Sequence, residues 1–331
     1  MVPNTELIKI SNNKQNIEFF LNDLIIKPRV DIRKWANITK QTPTLKIGYI
    51  GQHLSSLILG MEGGRTGARG HDIIDGTEVK SCTKVDQADK CKDCGERLMR
   101  SEIYCFNCGS TNIVRKNDSK WLFSVRSEEE LIQYKNLNRI FLLISDYPNF
   151  ENNDFSSIRF EGFEIYPTNQ RMDKFNFLID NHYNNIYLPK QLLGKKTNPM
   201  NFHPYSFQFY LCNPIKIFSC IIENIDTNPN ILINTFIEPD VDRTLLPSEG
   251  LPIQLLNYNE LISLISNNDF ETIIKPNLTN PSLSCIELKN EITKDKKTWI
   301  KHIPFLNEVA KNKIPLRDIV STSQTTTYTR S

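Results

Sequence analysis

Along the first half of the chain the spacing of apolar residues changes several times, and each change marks an element. Residues 16–25 and 31–37 carry helical spacing with Pro28 between them as a break. Ile47, Ile50, Leu54, Leu57, Ile58 and Met61 then follow a helical period, so a helix buries one face just before a glycine-rich loop. Ile73 and Ile74 lead into Asp75-Gly76 and out through Thr77-Glu78-Val79-Lys80, two β-compatible runs about a turn dipeptide, which predicts strands at about 70–74 and 77–83. A strand follows at 120–126. Ser127, with Glu130 three residues on, is a capping box opening the helix SEEELIQYKN, and RIFLLIS at 139–145 is a nearly continuous apolar run suited to a buried strand. The order is α, β, β, insert, β, α, β. Beyond residue 150, SIRFEGFEIYP, NNIYLP, FQFYLCNPIKIFSCIIENI and NILINTFIEP read as strands, and 258–265 and 294–311 as helices. The fold class is α+β, divided into an N-terminal helical region (1–46), a core (47–150) with an insert at about 84–119, and a mixed C-terminal region (151–331).

The length of the turn at Asp75-Gly76 decides the chemistry. A two-residue loop pairs Asp72 with Val79 and puts the aspartate on the wrong face, because side chains alternate along a strand. A three-residue loop, Ile74-Asp75-Gly76 with Gly76 left-handed, pairs Asp72 with Glu78 and sets two carboxylates roughly 5 Å apart, with Lys80 next on that face. Two like charges so close destabilise the free protein, and a divalent cation relieves them. Magnesium takes one or two carboxylates, substrate phosphate oxygens and water. Asp72 and Glu78 are therefore the expected magnesium ligands. Eight of the 13 glycines fall between Gly48 and Gly76, where close approach of backbone to a ligand is needed.

The insert carries a second signal. Cys91-x2-Cys94 and Cys105-x2-Cys108 are two knuckles, each followed by a glycine, Gly95 and Gly109. Four thiolates on such turns suit a tetrahedral structural zinc with no open position for substrate. Nothing indicates secretion, which argues against disulfides. Lys84, Lys90, Lys92, Arg97, Arg100, Arg115, Lys116 and Lys120 surround this ribbon, offset by six acids between 84 and 120, and its position beside the E-x-K strand puts it within reach of bound DNA. Cys82, Cys212, Cys220 and Cys285 lie among apolar residues and read as buried thiols.

Asp72-x5-Glu78-x-Lys80 resembles the PD-(D/E)xK nuclease signature, whose αβββαβ core matches the order of elements above. That resemblance adds the carbonyl of Val79 as a third magnesium ligand and gives Lys80 the attacking water, to position or deprotonate. The succession GYIG, L-x4-LG, a GG turn, then D and E-x-K-[ST] resembles the MutH-like mismatch-repair nicking endonucleases and their GATC-cutting restriction relatives, over residues 48–82. In that family a helix glutamate assists the site. The matching position here is Ser55, leaving Glu62 as the auxiliary candidate. Arg65 and Arg69 in GGRTGARG are candidates for phosphate contacts, whereas His53 reads as an ordinary helix residue and the side chain of His71 is expected on the opposite strand face. Glu287-Leu288-Lys289 is a second E-x-K, read as a decoy.

Over the whole chain the pattern resembles the MamI-type restriction endonucleases. That resemblance implies a type II enzyme acting on double-stranded DNA at a palindrome of GAT and ATC half-sites, a homodimer, and a cognate methyltransferase for the same site. A net charge of +2 and a pI near 8.0 allow DNA binding without requiring it, so any basic surface is local. No apolar run is long enough to span a membrane and MVPNTELIKISNNK has no signal-peptide core, so a soluble, cytoplasmic protein is expected. A partner-dependent nicking nuclease and a non-catalytic zinc-ribbon DNA-binding protein stay open as alternatives.

Overall fold

The computed structural model describes residues 1–39, 48–65, 71–85, 87–98, 100, 102–317 and 327–328. Among them α1 (Asn13–Leu21), α2 (Lys27–Thr39) and α3 (Gly48–Leu59) precede a five-stranded mixed sheet of order β1-β6-β7-β9-β10. Its strands are β1 (Glu78–Thr83), β6 (Ile140–Asp146), β7 (Ile158–Ile165), β9 (Ile215–Glu223) and β10 (Asn230–Phe236). β1 and β6 are parallel, joined by a crossover that holds α4 (Glu128–Lys135), and the remaining pairs are antiparallel. The sheet thus takes strands from both sides of residue 150, and one continuous hydrophobic core runs from Ile17 to Ile314. β6 and β7 are buried along their whole length, as strands covered on both faces must be. Helix α3 crosses β1 at Gly51, where an added Cβ would lie 2.6 Å from the Cβ of Ser81. No helix among the described residues is long and apolar enough to cross a membrane.

The fold is α+β, as expected, with several elements placed differently. The turn is the three-residue one: Ile73 N–H bonds Thr77 O at 3.2 Å, Gly76 N–H bonds Ile73 O at 3.0 Å, and Gly76 has φ +86°. The expected strand at 70–74, however, is only a single bridge from Ile73 to Gly63. Its backbone is used elsewhere, since Asp72 O accepts from Gly64 N–H and Ile74 N–H bonds Glu62 O. The expected strand at 120–126 is β5 (Trp121–Phe123), which pairs with β8 (Met200–Phe202) outside the central sheet.

Three prolines sit just after wide turns within helices. Pro28 does not break the N-terminal helix: a wide π turn at Asn22–Ile26 connects α1 to α2, and Lys27 N–H reaches back to Asn22 O. The same device precedes Pro189, so NNIYLP is a π turn (His182–Tyr187) and helix, following α5 (Lys174–Asn181) and running into α6 (Leu188–Leu192), not a strand. It recurs before Pro276, at Phe270–Ile274. In each case the wide turn brings an N–H to an i−5 carbonyl just ahead of a residue that has no N–H to give. FQFYLCNPIKIFSCIIENI divides into α7 (Phe207–Leu211) and β9, turning at Asn213-Pro214. A short pair, β11 (Leu251–Pro252) and β12 (Phe305–Leu306), brackets α8 (Tyr258–Asn267), α9 (Cys285–Glu291) and α10 (Lys296–His302). The helix expected at 294–311 therefore ends at α10 before Pro304, and resumes as α11 (Glu308–Asn312).

The turn that carries the candidate site is fixed from below by Arg139, the residue before β6. Its guanidinium is paired with Asp75 at 2.6 Å and Glu164 at 2.9 Å, and it donates to Thr77 Oγ1 at 2.9 Å. Burial opposes its charge, but Glu164 and Asp75 hold its pKa above the ordinary arginine value. Glu164 is fully buried and also accepts from Tyr166 Oη at 2.7 Å and Arg243 Nε at 3.3 Å. Removing Arg139 takes the cation from Asp75 and leaves buried Glu164 with Arg243 alone. Arg139→Met should therefore destabilise the protein by about 3–5 kcal/mol, measured by urea unfolding; a loss below about 1 kcal/mol, the scale of an exposed ion pair, would show that the network is not what fixes the turn.

Candidate active site and metal centre

Asp72 lies on the bend leading into the turn, and both of its oxygens are held. Oδ1 accepts from Gln52 Nε2 at 2.7 Å and Oδ2 from the backbone N–H of Val79 at 2.8 Å. Val79 is available because β1 is an edge strand. Glu78 gives its N–H to Arg139 O on the β6 side, so the next residue turns its N–H and C=O to the open edge. Burial raises the pKa of Asp72; the Val79 N–H and Lys80 lower it in part, and the charge of Glu78 adds to the rise. The aspartate, the glutamate and the lysine therefore feel one another, in a place where negative charge is held at a cost.

Glu78 and Lys80 stand on the face of β1 opposite buried Val79. Lys80 Nζ is hydrogen-bonded to Glu78 Oε1 and lies 5.8 Å from the ring centres of both Phe123 and Tyr134. Burial works against the ammonium, but Glu78 and Tyr134 keep its pKa raised. Lys80 is a cation resting on two aromatic faces and tethered to a carboxylate.

A cleft of about 620 Å³ opens beside Asp72, lined by Gln52, His53, Glu62, Arg65 and His71 among others. Of the catalytic candidates from the sequence it takes in Asp72 but not Glu78 or Lys80, and His71, expected on the opposite strand face, lines it beside Asp72. Glu62 and Arg65 are on its wall, Arg65 with a left-handed φ of 58°. His53 is exposed on α3 with its ring centre 6.4 Å from that of Phe20. Arg69 lies outside the described residues. Ser55 does not reach the cleft: it is buried against the sheet, with its hydroxyl bonded to Gly51 O. The helix residue that meets Asp72 is Gln52, one turn earlier. Sequence reasoning missed it, although residues three or four apart share a helix face, and Gln52 and Ser56 both line the cleft. Phe123 and Tyr134 were missed as well, because the pairing of β5 with β8 that positions Phe123 spans a long sequence separation.

The second E-x-K is a helix start. Glu287 caps α9 through Ser284, far along the chain from every other candidate residue. Cys212 and Cys220 are buried, and burial pushes their thiols up; Cys82 and Cys285 are half-buried.

The four cysteines of the insert converge. Their sulfurs all lie within 4.8 Å of one another, and the cysteines are unbridged. β2 (Asp89–Cys91) pairs with β3 (Arg97–Leu98) and β4 (Ile113–Val114) to frame the cluster. Gly95 and Gly109 take φ values of 78° and 74° and return N–H bonds to Cys91 O and Cys105 O, which closes both knuckles. The Cys94 thiol is pushed down to about 6, chiefly by the N–H of Glu96. This group could hold one thiophilic ion in a closed tetrahedron. It departs from the far end of β1, on the order of 17 Å along the strand from Glu78, so the sulfur cluster and the carboxylates are separate centres.

The basic residues of the insert divide into two sets. Arg100 and Arg115 bond the buried Asp89 carboxylate at 2.7 and 2.8 Å and rest on Phe150 and Phe155, docking the ribbon to the body. Lys84 is buried, and its pKa is lowered by that burial. These three are structural and do not face solvent. Lys90, Lys92, Arg97, Lys116 and Lys120 are exposed.

The chain matches the MamI restriction endonuclease family over residues 34–254, a segment that includes Asp72, Glu78, Lys80 and all four knuckle cysteines. One stretch of 76 residues is 34% identical to the type II restriction enzyme MamI of Microbacterium ammoniaphilum, covering 22% of this chain and 25% of that protein. No solved structure matches. With a family match across more than half of its length, the chain belongs to the MamI restriction endonuclease family.

Proposed function

We propose that the protein is a magnesium-dependent type II restriction endonuclease that hydrolyses phosphodiester bonds in double-stranded DNA. The observation that carries this reading is the Asp72 carboxylate bonded to Val79 N–H at the open edge of the E-x-K strand, its pKa raised by burial and by the neighbouring charge of Glu78. Hard oxygen ligands already strained by like charge fit magnesium, and Asp72, Glu78 and the carbonyl of Val79 would hold it. When bound, the ion supplies positive charge at the scissile phosphate. Gln52 fixes the orientation of Asp72. Lys80, tethered to Glu78 and resting on Phe123 and Tyr134, positions or deprotonates the attacking water. Arg65, together with Arg69, is assigned to the DNA backbone and Glu62 to an auxiliary role. Within this reading residues 47–150 supply the site residues of a PD-(D/E)xK core whose sheet is completed by β7, β9 and β10, and the rest of 151–331 serves recognition and dimerisation.

The finer parts rest on family membership. A palindromic GAT/ATC-type site would be read by a homodimer, since a two-fold site calls for two-fold protein, and a cognate methyltransferase would act on the same sequence. The four cysteines are assigned to one structural zinc, because thiolates select zinc over oxygen-seeking magnesium.

Incubation with plasmid DNA and magnesium, followed by sequencing of the ends, tests the activity: defined double-strand breaks support it, single-strand nicks that need added proteins favour the nicking alternative, and binding without breaks favours the non-catalytic one. Asp72→Asn should reduce cleavage to background with the fold intact. Lys80→Ala should lower the rate by on the order of 10²–10⁴-fold, and Glu287→Gln should leave it unchanged. Elemental analysis of purified protein should find one zinc per chain, lost in Cys91→Ser. Because the chain returns from the ribbon into β5, where Phe123 supports Lys80, that variant should also cleave more slowly in excess magnesium. A zinc-free, folded variant that cuts at the wild-type rate would disconnect the two centres.

A further inference from the structure

The segment from residue 181 to residue 222 contains no acidic residue, although it carries Lys190, Lys195, Lys196 and Lys216. Lys216 is used internally, paired with Glu161 and Glu249. The other three are exposed, and among the described residues none of them lies within ion-pair distance of a carboxylate. They flank a tight structure: α6 ends at Leu192, Gly194 follows with φ +64°, and Gly194 N–H and Lys195 N–H return to Gln191 O and Lys190 O at 2.9 Å each. The turn therefore projects Lys195 and Lys196 from a closed backbone, and residues 188–196 are exposed almost without interruption. At its tip Leu192 and Leu193 are 88% and 67% exposed, far more than packing against the body would leave.

A groove of about 190 Å³ at the base of this turn is lined by Arg126, Gln191, Lys196, Thr197 and Asn198 among others, two cations with amide and hydroxyl groups between them. Acids stand at the start of α4, where Glu130 accepts from Arg126 N–H and Glu128 and Glu129 lie toward Tyr183. The groove is tied to the cleavage centre. Four residues beyond Lys196, at most about 13 Å of extended chain, Met200 pairs with Phe123, whose ring lies 5.8 Å from Lys80 Nζ.

We propose that the turn at 188–199, with Lys190, Lys195, Lys196 and the Arg126 groove, is an arm that contacts the phosphates of duplex DNA and holds them beside Lys80. The occupant follows from charge: unpaired lysines around amide and hydroxyl donors match a line of phosphates, and backbone contacts of this kind set position and salt dependence without reading sequence. The proposal rests on the endonuclease reading and specifies where the substrate of that site is held.

The test is binding of a random-sequence duplex of about 30 base pairs, without added magnesium, over a range of salt concentrations. The Lys190→Ala, Lys195→Ala, Lys196→Ala triple variant should bind more weakly at low salt. Its slope of log affinity against log salt should fall by about 2–3, at about 0.9 for each phosphate that is no longer neutralised. The corresponding triple Lys→Arg variant should keep the wild-type slope. An alanine variant with the wild-type slope would overturn the proposal while leaving the endonuclease reading standing. So would an unchanged slope accompanied by a change in sedimenting mass, which would make the turn an interface between two copies of the chain. Wild-type protein that binds no duplex at any salt would overturn the endonuclease reading, and this proposal with it.

Discussion

The candidate site depends on one buried cation. Arg139 sits at the start of β6 and ties together the turn residue Asp75, the Thr77 hydroxyl and the β7 carboxylate Glu164. Because its own carbonyl takes the N–H of Glu78, the same residue sets the register of β1 on β6 and the height of the turn above the sheet. Everything downstream follows from that placement. Val79 is turned to the open edge, Asp72 comes down onto its N–H, and Glu78 and Lys80 face the aromatic support of Phe123 and Tyr134. A buried ion pair is weak evidence for stability but a strong constraint on geometry, since its alternatives leave charges stranded.

Much of this was legible in the residues because the signals are local. The three-residue turn at Ile74-Asp75-Gly76 follows from the need for a left-handed residue, and Gly76 supplies it. The knuckles follow from paired C-x-x-C, and α4 from its Ser127 cap. What was not legible depends on long-range pairing. Asp72 bonds to side-chain and backbone partners in place of a ladder neighbour, so the strand expected around it collapses to one bridge. Arg100 and Arg115 look like surface cations in the sequence and are instead consumed by Asp89 and two phenylalanines. Pro28 was read as a break and NNIYLP as a strand for a different reason: the wide turn that precedes Pro28 and Pro189 has no sequence signature as clear as the proline itself.

The two centres divide the chemistry by ligand hardness and by position. Carboxylates and a backbone carbonyl gather at one end of β1, and thiolates form a closed group on a ribbon that leaves from the other. On the proposed assignment of magnesium to the carboxylates and zinc to the thiolates, neither donor set competes for the other's ion. The ribbon's small core of Cys91, Leu98 and Cys105 is separate from the main one, and the ribbon is attached through Asp89 and its two arginines. Its influence on the carboxylate site therefore passes through the chain that returns at Trp121 and through Phe123 behind Lys80.

The central claim is that the turn pinned by Arg139 is what makes Asp72 a competent ligand, and manganese titration of an Asp75→Asn variant tests it most directly. Asp75 touches none of the proposed metal ligands, and Glu164 remains to hold Arg139 in the variant. The account predicts a folded protein with zinc intact that binds manganese on the order of tenfold or more weakly than wild type, a difference of about 1.4 kcal/mol. Wild-type manganese affinity in a variant whose turn amides exchange faster with solvent would contradict it.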